Sequence, residues 1–215
     1  MPVKKILVYL IGGQSNALGR GITADLPTSP VNLQLPQTNV IFADANGGVL
    51  QNLQADVDFG PEITMGYRLA NSLAYDPSIR VAILKRARTG TSLYIDWIPG
   101  GDATQTGDGQ WYVTFQNAVN NGLANLATAY PDAEIEIKGM LWVQGENDAK
   151  TNATVAAYDD YEANLEAFIE DVRLTYGDSL IFVISRLSDN QPIAGIGKPA
   201  CARRKPMSPT PIRAT

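Results

Sequence analysis

The sequence predicts a three-layer α/β/α sandwich around a central, mostly parallel, five-stranded sheet. Two observations predict it: β-branched apolar runs alternate with segments of helical period, and polar turns follow three of the runs. The predicted strands are Ile6–Ile11, Val40–Phe42, Ile79–Leu84, Ile135–Val143 and Leu180–Ile184. Sheets of this kind bind ligands where their strands end, at the carboxyl edge, so we expect the functional site there.

Three helices are predicted between these strands. The first begins at Gly60-Pro61-Glu62, where proline suits the first helical position, and ends at Asp76-Pro77. The second ends before Pro131, and the third runs from about Thr154 to Gly177. Their apolar faces hold Met65, Leu69 and Leu73; then Phe115, Val119, Leu123 and Leu126; then Tyr158, Tyr161, Leu165, Phe168, Ile169 and Val172. The glycine-rich segment 100–110 is predicted to be a loop beside a pocket.

The composition of the chain disfavours several classes of function. The chain has 215 residues, 45% hydrophobic and 18% charged, which suits one globular domain. Its net charge of −5 disfavours nucleic acid and anionic membrane surfaces as partners. Cys201 is the single cysteine and there is no histidine, so neither an internal disulfide nor a zinc cluster is expected, and no cofactor is predicted.

The N-terminus has the charge-then-apolar order of a signal peptide, Lys4-Lys5 followed by Ile6–Ile11. The apolar run is too short and has no small-residue cleavage site after it, so we interpret it as a first buried strand. The expected location is therefore cytoplasmic by default, or extracellular if the native gene differs at this end. Oligomeric state is not predicted.

The segment 191–215 differs from the rest of the chain. It holds five prolines and five basic residues, with no acidic residue and no helix or strand pattern. Residues 1–190 carry 12 basic and 22 acidic side chains. We therefore predict a domain over 1–190 followed by a poorly packed tail, and a frameshift or miscloned end is the leading explanation of the change.

Three motifs carry chemistry. Gly12–Gly19 (GGQSNALG) places Ser15 at a tight turn directly after the first strand, where backbone N–H groups can face a developing oxyanion. Thr89–Leu93 (TGTSL) follows the third strand, and Gln144–Asp148 (QGEND) follows the fourth. Each motif alone also fits a structural turn or a helix cap. Because all three follow strands of one parallel sheet, we expect them to meet in one pocket.

The sequence also resembles a known family. GGQSNALG, FGPE (Phe59–Glu62), TGTSLYIDW (Thr89–Trp97) and WVQGENDA (Trp142–Ala149) resemble, in order and spacing, the blocks of the sialate O-acetylesterase and acetylxylan-esterase-like branch of the SGNH hydrolases. The resemblance covers roughly residues 3 to 190. It implies the flavodoxin-like SGNH fold and a metal-independent serine esterase that removes acetyl or similar acyl groups from carbohydrates.

The resemblance also implies roles for residues. Ser15 is the expected nucleophile, and the backbone N–H groups of Ser15 and Gly90, with the Gln144 side chain, form the expected oxyanion hole. Expected substrate-binding residues are Gln14, Asn16, Thr91, Glu146 and Trp97. The chain departs from the family at Thr89, where a second glycine is usual, and at its C-terminus, where the family has Asp-x-x-His. Without the histidine base we expect a very poor esterase.

Two other functions fit the same pattern. A non-catalytic carbohydrate-binding domain would reuse the pocket, with Tyr94, Trp97 and Trp111 as stacking surfaces. A nucleotide binder with the same strand–helix alternation is disfavoured, because no phosphate loop of the required glycine spacing is present. The expected ligand is a small-molecule or oligosaccharide acyl ester.

Overall fold

The computed structural model describes residues 2–43, 45–73, 76–101, 108–150, 157 and 159–187. In chain order, the described elements are β1 (Lys5–Gly13), α1 (Ser15–Leu18), β2 (Gly21–Ile22), a 3-10 turn (Thr23–Asp25), β3 (Gln37–Ala43), β4 (Leu50–Leu53), β5 (Asp58–Phe59), α2 (Glu62–Ser72), β6 (Ile79–Ala87), α3 (Leu93–Asp96), α4 (Gln110–Ala129), β7 (Glu134–Val143), α5 (Tyr161–Tyr176) and β8 (Ile181–Ile184). No helix in these ranges is long and apolar enough to cross a bilayer.

The main sheet has six strands in the order β4-β3-β6-β1-β7-β8. All neighbours are parallel except β3 and β4. The five predicted strands are all present, but the prediction of a five-stranded sheet is wrong by one strand. Strand β4 was missed because Leu50-Gln51-Asn52-Leu53 has apolar residues only at its two ends and shows no alternation.

Helices cover both faces of the sheet, which confirms the three-layer sandwich. Alternate residues of the central strands point to opposite faces, as strand geometry requires. Leu10 and Leu84 belong to the core shared with α4 and α5, whereas Ile11 and Ile83 belong to the core shared with α2. Strand β1 is fully buried on the α4–α5 side at Ile6, Val8 and Leu10, whereas on the α2 side Ile11 is fully buried and Tyr9 is partly buried.

The three predicted helices are present, but their first and last residues differ from the prediction. Helix α2 begins at Glu62, one residue after Pro61, and α4 begins at Gln110, a turn earlier than its apolar pattern indicated. The predicted start of the third helix near Thr154, residues 102–107 of the predicted loop, and the predicted tail 191–215 lie outside the described residues.

Candidate functional site

The turns after β1, β6 and β7 lie side by side at the carboxyl edge of the sheet. These three strands are neighbours and end in register, with Gly13 opposite both Ala87 and Val143. Backbone hydrogen bonds tie the turns together: Arg88 N donates to Gly13 O at 3.0 Å, and Gln14 N donates to Val143 O at 2.9 Å. The three predicted motifs therefore share one site.

Ser15 is the first residue of α1 and is partly exposed. The turn before it depends on glycine: Gly13 has φ +136°, and a Cβ there would lie 2.1 Å from Val143 O. Gly90 also has positive φ, +76°, but a Cβ there would meet no atom within 4 Å. Open space therefore lies beside the Gly90 turn.

Two backbone donors at these turns have no acceptor among the described residues. Ser15 N precedes the first intrahelical bond of α1, and neither Ser15 N nor Gly90 N donates a hydrogen bond to another described residue. Both groups are therefore available to an oxygen atom placed between the two turns.

Gln144 forms the floor of the site, where its side chain is 1% exposed. Its amide Nε2 donates to the Asp148 carboxylate and lies 3.3 Å from Thr91 O and 3.4 Å from Gln14 Oε1. Its Oε1 accepts the Tyr161 hydroxyl at 2.9 Å. The amide is thus held on both ends, and its two protons have nearby protein acceptors.

Asp148 is the buried carboxylate of this floor. It accepts hydrogen bonds from Leu93 N at 3.0 Å and Tyr94 N at 3.3 Å, at the start of α3, in addition to the bond from Gln144. Burial raises the pKa of Asp148, and the three hydrogen bonds oppose that rise. Asp148 therefore fixes the turn after β6 to the turn after β7.

Gln14, Asn16 and Glu146 join the turns after β1 and β7. The Gln14 side chain is 4% exposed and accepts Asn147 N at 3.2 Å. Asn16 is exposed, and its Nδ2 donates to Glu146 Oε1. The second Glu146 oxygen, Oε2, is buried and has no hydrogen-bond partner among the described residues.

Trp97 does not offer a stacking surface, and that prediction is corrected. Its ring is fully buried and packs against Trp142, with ring centroids 5.0 Å apart, and against Phe115. Its Nε1 donates to Thr91 Oγ1 at 2.9 Å, and Thr91 Oγ1 donates to Arg88 O. Thr91 is 4% exposed. Thr91 and Trp97 therefore support the turn from inside the protein. The ring can be fully buried because its single N–H has a hydrogen-bond partner.

The sequence analysis missed a buried ion pair next to the end of α1. Lys85 Nζ lies 2.6 Å from Glu62 Oε2, with the two side chains 10% and 8% exposed. Lys85 also donates to Leu18 O, the last residue of α1, and Glu62 Oε1 accepts Gly60 N. The pair joins α2, β6 and the end of α1. In the sequence, the one signal for this ion pair was Glu62 in the FGPE block. Its partner Lys85 is distant in sequence, so the pairing could not be predicted from the pattern.

A known protein family matches this chain. A family model described as carbohydrate esterase, sialic acid-specific acetylesterase, matches residues 5–204. The chain belongs to this family. The match confirms the resemblance found in the sequence and runs past residue 190, the predicted end of the domain. A comparison with curated proteins found no match.

Three solved structures resemble this carbohydrate esterase family member. A protein from Arabidopsis thaliana is 18% identical over 86% of this chain and 75% of its own, with TM-score 0.64. NanS is 16% identical over 86% and 68%, with TM-score 0.52. A carbohydrate acetylesterase from Xanthomonas citri is 21% identical over 84% of this chain and 41% of its own, with TM-score 0.51. At these identities the likeness shows the fold. Within the described residues, no group of three or more metal-ligating side chains is present.

Proposed function

We propose that this family member hydrolyses acyl esters of carbohydrates, chiefly acetyl esters, with Ser15 as nucleophile. The proposal is supported by Ser15 at the turn after β1, because its own N–H and the Gly90 N–H on the neighbouring turn have no acceptor among the described residues. The serine oxygen attacks the ester carbonyl and gives up its proton, and the donors stabilise the tetrahedral oxyanion. The intermediate then breaks its bond to the sugar oxygen, which leaves as an alcohol with a proton. Water hydrolyses the acyl-serine to a free carboxylic acid and restores the serine.

Gln144 is proposed as the third oxyanion donor. Its contacts with Thr91 O and Gln14 Oε1 are long, 3.3 and 3.4 Å, and such bonds are weak. A charged oxygen accepts a stronger hydrogen bond than either neutral acceptor, so the amide proton exchanges partners as the oxyanion forms. The bond to Asp148 and the contact with Tyr161 keep the amide oriented meanwhile.

The 215 residues supply no histidine to take the serine proton. Loss of such a base typically lowers turnover on the order of 10⁶-fold and leaves about 10³-fold over water from the oxyanion hole and binding. We therefore propose a serine esterase scaffold whose chemical step is slow in this chain because no general base assists it.

Added imidazole tests this function directly. Acetate release from an acetylated xylo-oligosaccharide should be near background for the chain alone and should rise with millimolar imidazole, which replaces the missing base. Ser15→Ala should abolish the rise, whereas the exposed control Ser72→Ala should keep it. p-Nitrophenyl acetate is a second substrate for the same comparison.

Two results would contradict the proposal. An imidazole effect of equal size in Ser15→Ala would show reaction outside this site. Robust turnover without imidazole, still abolished by Ser15→Ala, would overturn the claim of a missing base and indicate a carboxylate in its place.

A further inference from the structure

The short helix that carries Ser15 depends on its neighbours for its orientation. Helix α1 has four residues. Leu18 N donates to Gln14 O at 2.9 Å, and Gly19 N donates to Ser15 O at 3.0 Å. A helix of about one turn is unstable by itself, because its nucleation fixes several residues for few hydrogen bonds. The direction of Ser15 is therefore set by the contacts that α1 makes with the rest of the protein.

Strand β6 and the turn after it contact the Ser15 segment at both of its ends. At the start of the segment, Arg88 N donates to Gly13 O at 3.0 Å. At its end, Lys85 Nζ donates to Leu18 O, in the last residue of α1, at 2.8 Å. The same strand leads into the turn that holds the second proposed oxyanion donor. Contacts from β6 thus place Ser15 relative to that donor.

The FGPE block packs against the end of α1. Gly19 has φ +115°, and a Cβ there would lie 2.6 Å from Phe59 C. A Cβ at Gly60 would lie 3.0 Å from Ala17 O. The two segments therefore meet backbone to backbone, at a distance that glycine permits. Glu62, the first residue of α2, stabilises this contact because its Oε1 accepts Gly60 N at 2.9 Å.

Glu62 also holds Lys85, so one ion pair connects α1, β6 and the FGPE block. The Lys85 ammonium donates both to Glu62 Oε2, at 2.6 Å, and to Leu18 O. Hydrogen bonds of a charged group are strong where water is excluded, and both side chains are almost fully buried. A buried ion pair adds little net stability compared with apolar residues of similar size. What this pair holds in place therefore explains it better than the stability that it adds.

We propose that Lys85 and Glu62 are positioning residues for the esterase reaction. The pair holds α1 against β6, and the Ser15 N–H and the Gly90 N–H consequently face the same point. The inference rests on the proposed function, because it names what orients the nucleophile of that site. Neither side chain of the pair touches the ester. Loss of the pair lowers turnover by misplacing Ser15, and a displacement of about 1 Å is enough for a decrease of about 100-fold.

A double variant separates positioning from stability. Glu62→Gln combined with Lys85→Met removes both charges together, so neither stays buried without its partner, and such a replacement is often neutral for stability. The introduced amide still offers an oxygen to Gly60 N, whereas Leu18 O loses its donor. In imidazole-assisted acetate release, kcat should fall about 10- to 100-fold with KM unchanged. The melting temperature should stay near that of the parent chain.

Two further variants are matched to this one. Lys85→Arg keeps a charged donor beside Glu62 and should restore most of kcat. Glu136→Gln combined with Lys138→Met makes the same chemical change at an ion pair in the first half of β7, away from the turns that form the site. This control should keep the kcat of the parent chain.

Amide hydrogen exchange tests the proposal without turnover. The Leu18 and Gly19 amides, which form the hydrogen bonds of α1, should exchange at least about 10-fold faster in the double variant. The amides of Val8 and Leu10 in β1 should keep their parent rates. If the parent chain shows no Ser15-dependent release, the proposed function is rejected, and the exchange rates alone then decide whether the pair holds α1.

The outcomes are distinct. Unchanged kcat in the folded double variant, an equal decrease in the β7 control, or parent exchange rates at Leu18 and Gly19 would each overturn the proposal. A decrease in kcat that comes with a large loss of melting temperature, and that Lys85→Arg does not restore, would indicate a structural role alone and would also overturn it. A decrease in kcat at constant KM, restored by arginine, supports positioning.

Discussion

The floor and the rim of the site are built differently. The floor, formed by Gln14, Gln144, Asp148 and Tyr161, is at most 4% exposed at each side chain, and its polar groups are bonded to one another. The rim, formed by Ser15, Arg88, Thr89 and Gly90, is partly or fully exposed, and the Ser15 and Gly90 N–H groups have no acceptor in the part of the chain that the structure describes.

The difference separates structural polarity from polarity that serves a ligand. A buried polar group must find its partner inside the protein, because an unsatisfied one costs about 1–3 kcal/mol. The exposed donors of the rim are solvated instead, and they exchange water for a ligand at little cost. Substitutions in the floor should therefore change stability, and substitutions in the rim should change function.

The largest effect is expected at the buried ion pair of Lys85 and Glu62. Lys85→Met leaves the Glu62 carboxylate buried without its partner, which typically costs about 3–5 kcal/mol of unfolding free energy. Urea denaturation measures this loss. Lys5→Met is the control, since Lys5 pairs with Glu134 and Glu136 at the surface and should show only a small part of it. Equal losses in the two variants would refute the distinction.

The second largest effect is expected for Asp148→Ala, which should lower the free energy of unfolding by about 2–4 kcal/mol. The substitution leaves Leu93 N, Tyr94 N and the Gln144 amide without their acceptor. The loss should depend on pH. Burial raises the pKa of Asp148 in the folded state, so between the unfolded pKa near 4 and that raised value the folded chain retains a proton that the unfolded chain has released.

Rising pH therefore removes stability from the parent chain and not from the variant. The deficit of Asp148→Ala should be largest below about pH 4 and should shrink as pH rises toward 7. Denaturation of both proteins across that range measures it. A deficit that grows with pH would mean that hydrogen bonding, and not burial, dominates the pKa of Asp148.

Tyr161→Phe is expected to cost less, about 1–2 kcal/mol. It removes the hydroxyl that donates to Gln144 O at 3.1 Å and Gln144 Oε1 at 2.9 Å, while the ring stays buried. Thermal denaturation compares it with Tyr94→Phe, whose hydroxyl makes no hydrogen bond in the described part of the chain. If the two variants melt alike, the Tyr161 bonds do not support the floor.

Thr89→Ala should change stability least, by no more than about 0.5 kcal/mol, because Thr89 is exposed and its hydroxyl accepts one hydrogen bond, from Arg20, within the described part of the chain. The same variant should alter Ser15-dependent acyl release in the presence of imidazole, since Thr89 adjoins Gly90. A variant that loses stability without a change in release would place Thr89 with the floor.

Most of the fold follows from local patterns. Ile6–Ile11 is an uninterrupted apolar run, which predicts a buried strand, and the strand is found there. Gly13, Ser15 and Gly90 were singled out because a tight turn after a strand needs glycine and leaves the next residue at the edge. Strand β4 escaped because its pairing with β3 depends on neighbours and not on its own four residues.

The sequence by itself determined the order of strands and helices, the turns that carry polar residues and the family. Only the tertiary structure decided which residues meet. Lys85 and Glu62 pair across β6 and α2, and Trp97, predicted to bind substrate, lies wholly in the core. Periodicity and turn chemistry act over a few residues and can be read along the chain. Burial and charge pairing depend on strand order, which brings distant segments together only when the sheet forms.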